Sequence, residues 1–222
     1  MPDYPIHLQI ENRLCVVVGG GEVGLRKVLS LLRAGARVRL IASEQETPEK
    51  VPEEVEVLRR AYRRGDLEGA YLAFAATDSR EVNAAVIREA HDLGVLVNGA
   101  DAPADGDFTL PALLRRGDVT VSVSTGGRSP ALAALIRDHL AATLGPEWST
   151  VLEIAAALRQ KQLTAEEKTK YNQTILRRLL DGGLPELIAG QNEAEIDHLL
   201  ETLFGEGFSL AELGIQLPKE MT

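Results

Sequence analysis

The first half of the chain alternates between short apolar runs and stretches with the period of an amphipathic helix. Five apolar runs predict strands, at residues 13–18, 36–42, 55–62, 70–77 and 95–100. Helical spacing follows the first run, from Gly24 to Gly35, and follows the fourth, from a capping box of Asp78 and Glu81 to Gly94. Because strands that alternate with helices form parallel βαβ units, residues 1–112 are predicted to be a doubly wound α/β domain.

The second half has a different pattern. Residues 118–125 contain a strict alternation of valine and hydroxyl residues at 119–124, which predicts a strand with one buried face. From Ser129 onward the spacing is helical, with a first helix from Pro130 to about Gly145. Further helices are predicted at 147–161, 165–181 and 193–204, broken at 181–183 and 204–207.

Composition narrows the class of protein. A net charge of −9 argues against nucleic acid or an anionic membrane as the main partner, because phosphate groups need a positive surface. No apolar stretch approaches the ~20 residues of a membrane span, and the N-terminus lacks the features of a signal peptide. The single cysteine, Cys15, lies in an apolar run and predicts a buried thiol in a reducing, cytoplasmic setting. The four histidines lack metal-ligand spacing, so no metal site is predicted.

A glycine-rich loop joins the first predicted strand to the first helix. It contains Gly19-x-Gly21-x-x-Gly24 in the strand–turn–helix setting that a dinucleotide-binding loop requires. The first glycine permits a tight turn, the second lets a pyrophosphate approach the backbone, and the third allows close packing of helix on strand. Phosphates would lie at the helix N-terminus, where free N–H groups and the helix dipole favour negative charge. The alternative is a turn with a structural role only.

The second strand ends in Ile-Ala-Ser-Glu, where dinucleotide-binding proteins often carry an acid that holds the ribose. Only Ser43 and Glu44 have side chains that could bind the ribose, and both lie slightly beyond the usual position of that acid. No arginine is clearly placed for a 2′-phosphate, since Arg37 and Arg39 lie within the strand. The predicted cofactor is therefore NAD in preference to NADP.

The other strand ends meet the glycine loop at one edge of the predicted sheet. Ligands of parallel α/β sheets bind outside the carboxyl ends of the strands, which places Thr77, Asn98 and Asp101 beside the cofactor. Asp101 is the candidate for chemistry, with a turn residue before Pro103 as the alternative. Asp105 and Asp107 follow in a glycine-containing turn and are predicted to face solvent.

A second group of candidates follows the alternating strand. Two glycines and small hydroxyl residues lead into a helix, an arrangement whose backbone can receive an anion. Residues 111–150 also hold four arginines against three acids, in an acidic chain. A polyanionic substrate is one reading, and solvated arginines beside an ordinary turn are the other. The predicted substrate contacts are Arg115, Arg116, Ser124, Thr125, Gly126, Gly127, Arg128, Ser129 and Arg137.

Four blocks in this order resemble precorrin-2 dehydrogenase, the N-terminal module of siroheme synthase: CVVVGGGEVGLRKVLSLLRAGARV, FAATDSREVNAAV, VNGADAP and VSVSTGGRSPALAALIR. The resemblance covers residues 3–160 and extends loosely over the helical remainder. It implies a Rossmann NAD-binding domain (1–112), a small dimerisation segment (113–146), a helical C-terminal domain (147–222) and a homodimer. It also implies that NAD oxidises precorrin-2, a tetrapyrrole with eight carboxylates, to sirohydrochlorin.

The resemblance also assigns residues. The family's essential aspartate matches Asp101, its cofactor contacts match Glu22, Val23, Ser43 and Glu44, and its hydroxyl-rich loop matches Ser124 and Thr125. Two departures are Gly99 and Ala100, where relatives often carry larger apolar residues, and Thr125, which is serine in some relatives. The length of 222 residues predicts that no methyltransferase domain is present.

Two other functions stay open on the sequence. One is a bifunctional dehydrogenase that also inserts iron into sirohydrochlorin, and no sequence feature decides for or against it. The other is a non-catalytic NAD-sensing module, which explains the glycine loop but not the STGGRSP segment.

Overall fold

The computed structural model describes residues 3–47, 51–101, 103–164 and 173–218. Contacts divide the chain into two units, residues 1–110 and 111–222. The finer division at residues 112 and 146 stays a prediction. In the part of the chain that the structure describes, no helix has both the length and the apolar character needed to cross a membrane.

The first unit is built on one parallel sheet with the strand order β3-β2-β1-β4-β5. The strands are β1 (Leu14–Val18), β2 (Arg37–Ala42), β3 (Glu56–Arg59), β4 (Leu72–Ala75) and β5 (Leu96–Gly99). All neighbouring strands run parallel. The chain moves outward from β1 to β3 and then returns to place β4 on the other side of β1, so the order reverses at β1. The predicted doubly wound sheet is confirmed, and ligands of such sheets bind beside this reversal at the carboxyl ends.

Two helices cover opposite faces of the sheet. Successive side chains of a strand point to opposite faces, so Cys15 and Val17 of β1 pack with α1 (Glu22–Arg33), while Val16 and Val18 pack with α2 (Arg80–Leu93). Cys15 is fully buried, and this burial raises the pKa of its thiol to about 11. The predicted structural thiol is confirmed.

The start of α2 corrects one local prediction. Ser79, not Asp78, is the N-cap, and its hydroxyl oxygen accepts a hydrogen bond from the N–H of Val82 at 3.3 Å. Both residues suit a cap by type, and the spacing to Glu81 favoured the wrong one. The predicted end is confirmed, since Gly94 closes the helix in the left-handed conformation with φ 67°.

The second unit begins with a two-stranded antiparallel sheet, β6 (Ala112–Arg116) and β7 (Val119–Val123). The sequence predicted β7 and missed β6, because Ala-Leu-Leu-Arg-Arg does not alternate between apolar and polar residues. β6 gives β7 a partner within the chain, and α3 packs against both strands.

Helices form the rest of the second unit, namely α3 (Pro130–Thr143), α4 (Trp148–Thr164), α5 (Gln173–Asp181), α6 (Leu184–Ala189), α7 (Glu193–Phe204) and α8 (Leu210–Leu213). A separate apolar core includes Ile154 and Leu158 of α4, Ile188 of α6 and Ile196 of α7. The predicted helical C-terminal region is confirmed. Residues 165–172 of the predicted 165–181 helix lie outside the described residues.

Candidate active site

The glycine loop between β1 and α1 is shaped by close backbone contacts. Gly19 has φ 114°, a conformation that other residues rarely adopt. A Cβ atom on Gly19 would overlap the carbonyl oxygen of Ala76, and one on Gly24 would overlap the carbonyl oxygen of Gly19. These two glycines therefore allow the tight turn and the close approach of the helix to the loop.

Gly21 differs from its neighbours because a Cβ atom on it would meet nothing within 4 Å. Gly21 is the N-cap of α1, and no side chain among the described residues accepts a hydrogen bond there. The N–H groups of the first turn, which includes the exposed residues Glu22 and Val23, have no intrahelical acceptors. Free space in front of unpaired N–H groups at the positive end of a helix fits a pyrophosphate.

Gly20 is a third constrained glycine of this loop, and the sequence motif did not identify it. A Cβ atom on Gly20 would overlap the carbonyl oxygen of Glu46 and come within 2.9 Å of the Cβ of Ala42. The turn after β2 therefore packs directly on the glycine loop. The available signal was the run of three consecutive glycines, because the motif requires Gly19, Gly21 and Gly24 and accepts any residue at position 20.

The predicted ribose contacts lie in this turn. The Ser43 hydroxyl donates a hydrogen bond of 3.0 Å to Oε2 of Glu46, and the Ser43 carbonyl accepts one of 2.8 Å from the Thr47 hydroxyl. Glu44 is exposed, and so is Glu46. The turn thus presents two carboxylates next to the glycine loop, and a carboxylate accepts hydrogen bonds from ribose hydroxyls.

A hydrogen-bonded group joins the ends of β4 and β5. The side chain of Asn83, in the first turns of α2, donates to the Thr77 carbonyl and to Oδ1 of Asp101, both at 2.9 Å. Its Oδ1 accepts from the Thr77 N–H at 3.1 Å and lies 2.7 Å from the Thr77 hydroxyl. Asn83 is buried and Asp101 is exposed. Two predicted residues, Thr77 and Asp101, are therefore held together by a third that the sequence did not single out.

Asn98 is predicted to contact the cofactor, and the structure gives its side chain two protein partners. Its Oδ1 accepts a hydrogen bond of 3.0 Å from Nζ of Lys27, and its Nδ2 donates one of 2.9 Å to the carbonyl of Phe108. Lys27 lies 5.2 Å from the centroid of the Phe74 ring, and burial, followed by repulsion from Arg26, lowers its pKa. Asn98 therefore fastens α1 to the loop after β5, and its cofactor contact stays a prediction.

Of the two later acids, Asp107 has a structural role. Its N–H donates to the Val97 carbonyl at 2.8 Å, and its Oδ2 accepts from the Val97 N–H at 2.9 Å. These bonds complete the outer edge of β5. Both Asp105 and Asp107 are exposed as predicted, which leaves Asp101 as the candidate for chemistry.

The hydroxyl-rich loop before α3 is held by its own side chains. The Thr125 hydroxyl donates to the Ser129 carbonyl at 2.9 Å and accepts from the Ser129 N–H at 3.1 Å. Ser124 accepts from the Gly126 N–H at 3.1 Å, and Ser129 caps α3 by accepting from the Leu132 N–H at 3.3 Å. A Cβ atom on Gly126 or Gly127 would meet nothing within 4 Å. The loop is therefore ordered and its glycine backbone is open to a ligand.

The four predicted substrate arginines fall into two classes. Arg116 donates to the carbonyl groups of Leu144 and Ala141 at 2.8 and 3.2 Å, so it stabilises the C-terminal end of α3, and Arg137 pairs with Asp138 at 2.7 Å. Arg115 and Arg128 are exposed, and their guanidinium groups form no ion pair with another described residue. These two remain the better candidates for holding a carboxylate.

Comparisons with known proteins show two family matches along the chain. A family described as putative NAD(P)-binding matches residues 6–112, and a family described as sirohaem biosynthesis protein central matches residues 116–143. The chain is 36% identical over 207 residues to a siroheme synthase of Nitrosomonas europaea, covering 90% of this chain and 44% of that protein. A siroheme synthase of Methylococcus capsulatus is 39% identical over 197 residues, with coverage of 87% and 41%. The chain thus spans less than half the length of these relatives.

A solved structure shares the fold along most of the chain. The structure of SirC, a precorrin-2 dehydrogenase, superposes with a TM-score of 0.72 and covers 89% of this chain and 98% of its own. The two sequences are 22% identical. At this identity the likeness establishes the fold.

Proposed function

We propose that this chain, which belongs to the family of siroheme synthase N-terminal modules, catalyses the NAD-dependent oxidation of precorrin-2 to sirohydrochlorin. The reaction removes two hydrogens from the tetrapyrrole, one as hydride and one as a proton. The observation that carries the proposal is the pair of functional groups on one sheet edge. The glycine loop follows β1, and a carboxylate held by a buried amide follows β5.

The cofactor part of the proposal rests on the fit of the glycine loop. The open space at Gly21 and the uncapped first turn of α1 suit a pyrophosphate, and the acidic turn at residues 43–46 suits ribose hydroxyls. An acidic turn also disfavours the extra 2′-phosphate of NADP, because like charges repel. When bound, NAD supplies the acceptor for the hydride that leaves the substrate.

Asp101 is proposed to take the proton. Its carboxylate is exposed, so a substrate can reach it, and one oxygen is held by Asn83 at 2.9 Å. A positioned general base of this kind contributes roughly 10²–10⁴ in rate. Thr77 and Asn98 keep the ends of β4 and β5 in place around it.

The substrate part of the proposal rests on the second unit. Precorrin-2 carries eight carboxylates, and the loop at residues 124–129 offers open backbone together with the exposed Arg128, while Arg115 is exposed on β6. Arginine binds carboxylates through two parallel N–H groups, which also fixes their orientation. Arg116 and Arg137 are proposed to support this surface through their bonds within the protein.

We also infer a homodimer, through an apolar surface on the second unit. Leu132, Leu135 and Ile136 lie on one side of α3 and are 49%, 65% and 39% exposed. A contiguous patch of exposed apolar side chains on a protein surface often marks an interaction site. If the protein is a homodimer, sedimentation at micromolar concentration should give twice the mass of one chain. The cytoplasmic location stays a prediction from composition.

Anaerobic mixing of the protein with NAD and precorrin-2 tests the function. We expect NADH and sirohydrochlorin in equal amounts. Asp101→Asn should lower the rate by a factor of about 10²–10⁴ and bind NAD with unchanged affinity. NAD binding without turnover would support a sensing module instead. Adding Fe²⁺ or Co²⁺ to sirohydrochlorin in a parallel reaction asks whether the protein also inserts metal. A fully active Asp101→Asn variant would exclude Asp101 as the base.

A further inference from the structure

Asn83 is an unusual residue for its position. It lies on the inner side of α2, one turn before Val86 and Ile87, and is 1% exposed. Asparagine is a poor helix former, and a buried amide is costly unless its hydrogen bonds are made. An apolar residue at this position would serve the helix and the core better. The amide therefore needs another reason to be there.

All the bonding capacity of the Asn83 side chain is used. Nδ2 has two donors, which go to the Thr77 carbonyl and to Oδ1 of Asp101, and Oδ1 accepts from the N–H of Thr77 and lies within hydrogen-bond distance of its hydroxyl. Three of these four bonds join α2 to the end of β4. The fourth reaches across to the loop after β5.

These partners determine which way the amide faces. The backbone N–H of Thr77 can only donate, so the atom that faces it at 3.1 Å must be the oxygen. The nitrogen then faces the Thr77 carbonyl and Asp101, two acceptors that an oxygen could not bond. Asn83 is thus fixed as a donor toward the carboxylate.

We propose that Asn83 is a positioning residue for Asp101, a hydrogen-bond donor that orients the carboxylate and leaves its second oxygen to accept a proton. This inference rests on the proposed function, because it assigns a purpose to Asp101 as the base. Among the described residues no group donates to Oδ2 of Asp101. The amide holds one oxygen, and substrate meets the other.

Asn83→Asp is the most direct variant, since it keeps the shape of the side chain and replaces the donor with an acceptor. Two carboxylates at hydrogen-bond distance share a proton, so the pair stays protonated at a pH where Asp101 alone is ionised. We expect the acidic limb of the kcat/KM profile to move up by about one pH unit or more. Asn192→Asp is the matched control, because it adds the same charge at an exposed position of the second unit.

A measurement on the unaltered chain keeps the inference testable if Asn83→Asp does not fold. The side-chain NH₂ resonance of Asn83 should shift as Asp101 titrates, and this shift should disappear in Asp101→Asn, an exposed substitution. If the chemical shift of the Asn83 NH₂ group does not change when Asp101 ionises, the proposal is overturned. So would a wild-type pH profile in an active, folded Asn83→Asp protein. If the unaltered protein fails to oxidise precorrin-2 while the resonance still follows Asp101, the proposed function fails and the Asn83–Asp101 coupling stands.

Discussion

The loops that precede α1 and α3 both combine glycines with the start of a helix, yet the fold holds them in different ways. In the first loop, a Cβ atom on Gly19, Gly20 or Gly24 would overlap backbone atoms. In the second loop, Gly126 and Gly127 have φ of 59° and 72° but open space around them. The Thr125 hydroxyl, bonded to both backbone groups of Ser129, supplies the constraint there.

The difference shows what each glycine pattern encodes. In the first loop the spacing of glycines is a steric requirement, because loop, helix and neighbouring strand ends meet with no room for a side chain. In the second loop the glycines supply only a left-handed backbone, and side-chain hydrogen bonds set the shape. The first pattern is therefore the more specific signal for a ligand site built from backbone.

The largest effect that separates the loops is expected from Gly19→Ala. Its φ of 114° costs an alanine about 1–2 kcal/mol, and overlap with the Ala76 carbonyl adds overpacking of about 1–3 kcal/mol. We expect a clear loss of stability in denaturant unfolding and loss of measurable NAD binding by calorimetry.

Gly127→Ala is the matched control in the second loop. Its φ of 72° carries the same kind of backbone cost, about 1–2 kcal/mol, without overlap. The free energy of unfolding should fall by less than in Gly19→Ala, and NAD affinity should be unchanged. Equal destabilisation by the two substitutions would contradict the contrast between a packed loop and an open one.

Gly21→Ala separates binding from folding within the first loop. The new methyl group meets nothing within 4 Å, and φ is −66°, so stability should be nearly unchanged. The methyl group occupies the space proposed for the pyrophosphate, and we expect the Kd for NAD to rise about tenfold or more, which corresponds to ~1.4 kcal/mol. Unchanged affinity would place the phosphates elsewhere.

Much of the fold was accessible from the sequence because burial repeats with a clear period. The apolar runs of β1, β2 and β4 are covered on both faces, and such strands read as continuous apolar segments. The sequence of β6 has no such apolar run, and the strand is recognised only from its pairing with β7 in the structure. The cap of α2 was misassigned because Asp78 and Ser79 are adjacent and equally suitable by type.

The candidate site was harder to predict from the sequence, because contacts between distant parts of the chain leave no periodic pattern. Asp101 could be placed by topology alone, since the ends of parallel strands share an edge. Asn83 acts through contacts between α2 and two strand ends, which no local spacing records. Its signal was a polar residue on the apolar side of a helix, and that signal acquires meaning only when the partners are known.

The smallest effect is expected at Thr125, and it tests the hydrogen-bonded half of the contrast. Thr125→Val keeps the shape and removes both bonds to Ser129, so we expect a loss of about 1 kcal/mol. Hydrogen exchange of the Ser129 amide should be fast in this variant, because its acceptor is gone. Thr125→Ser retains the hydroxyl and should keep that amide protected. Protection that survives in Thr125→Val would mean that packing, and not the hydroxyl, orders the second loop as it does the first.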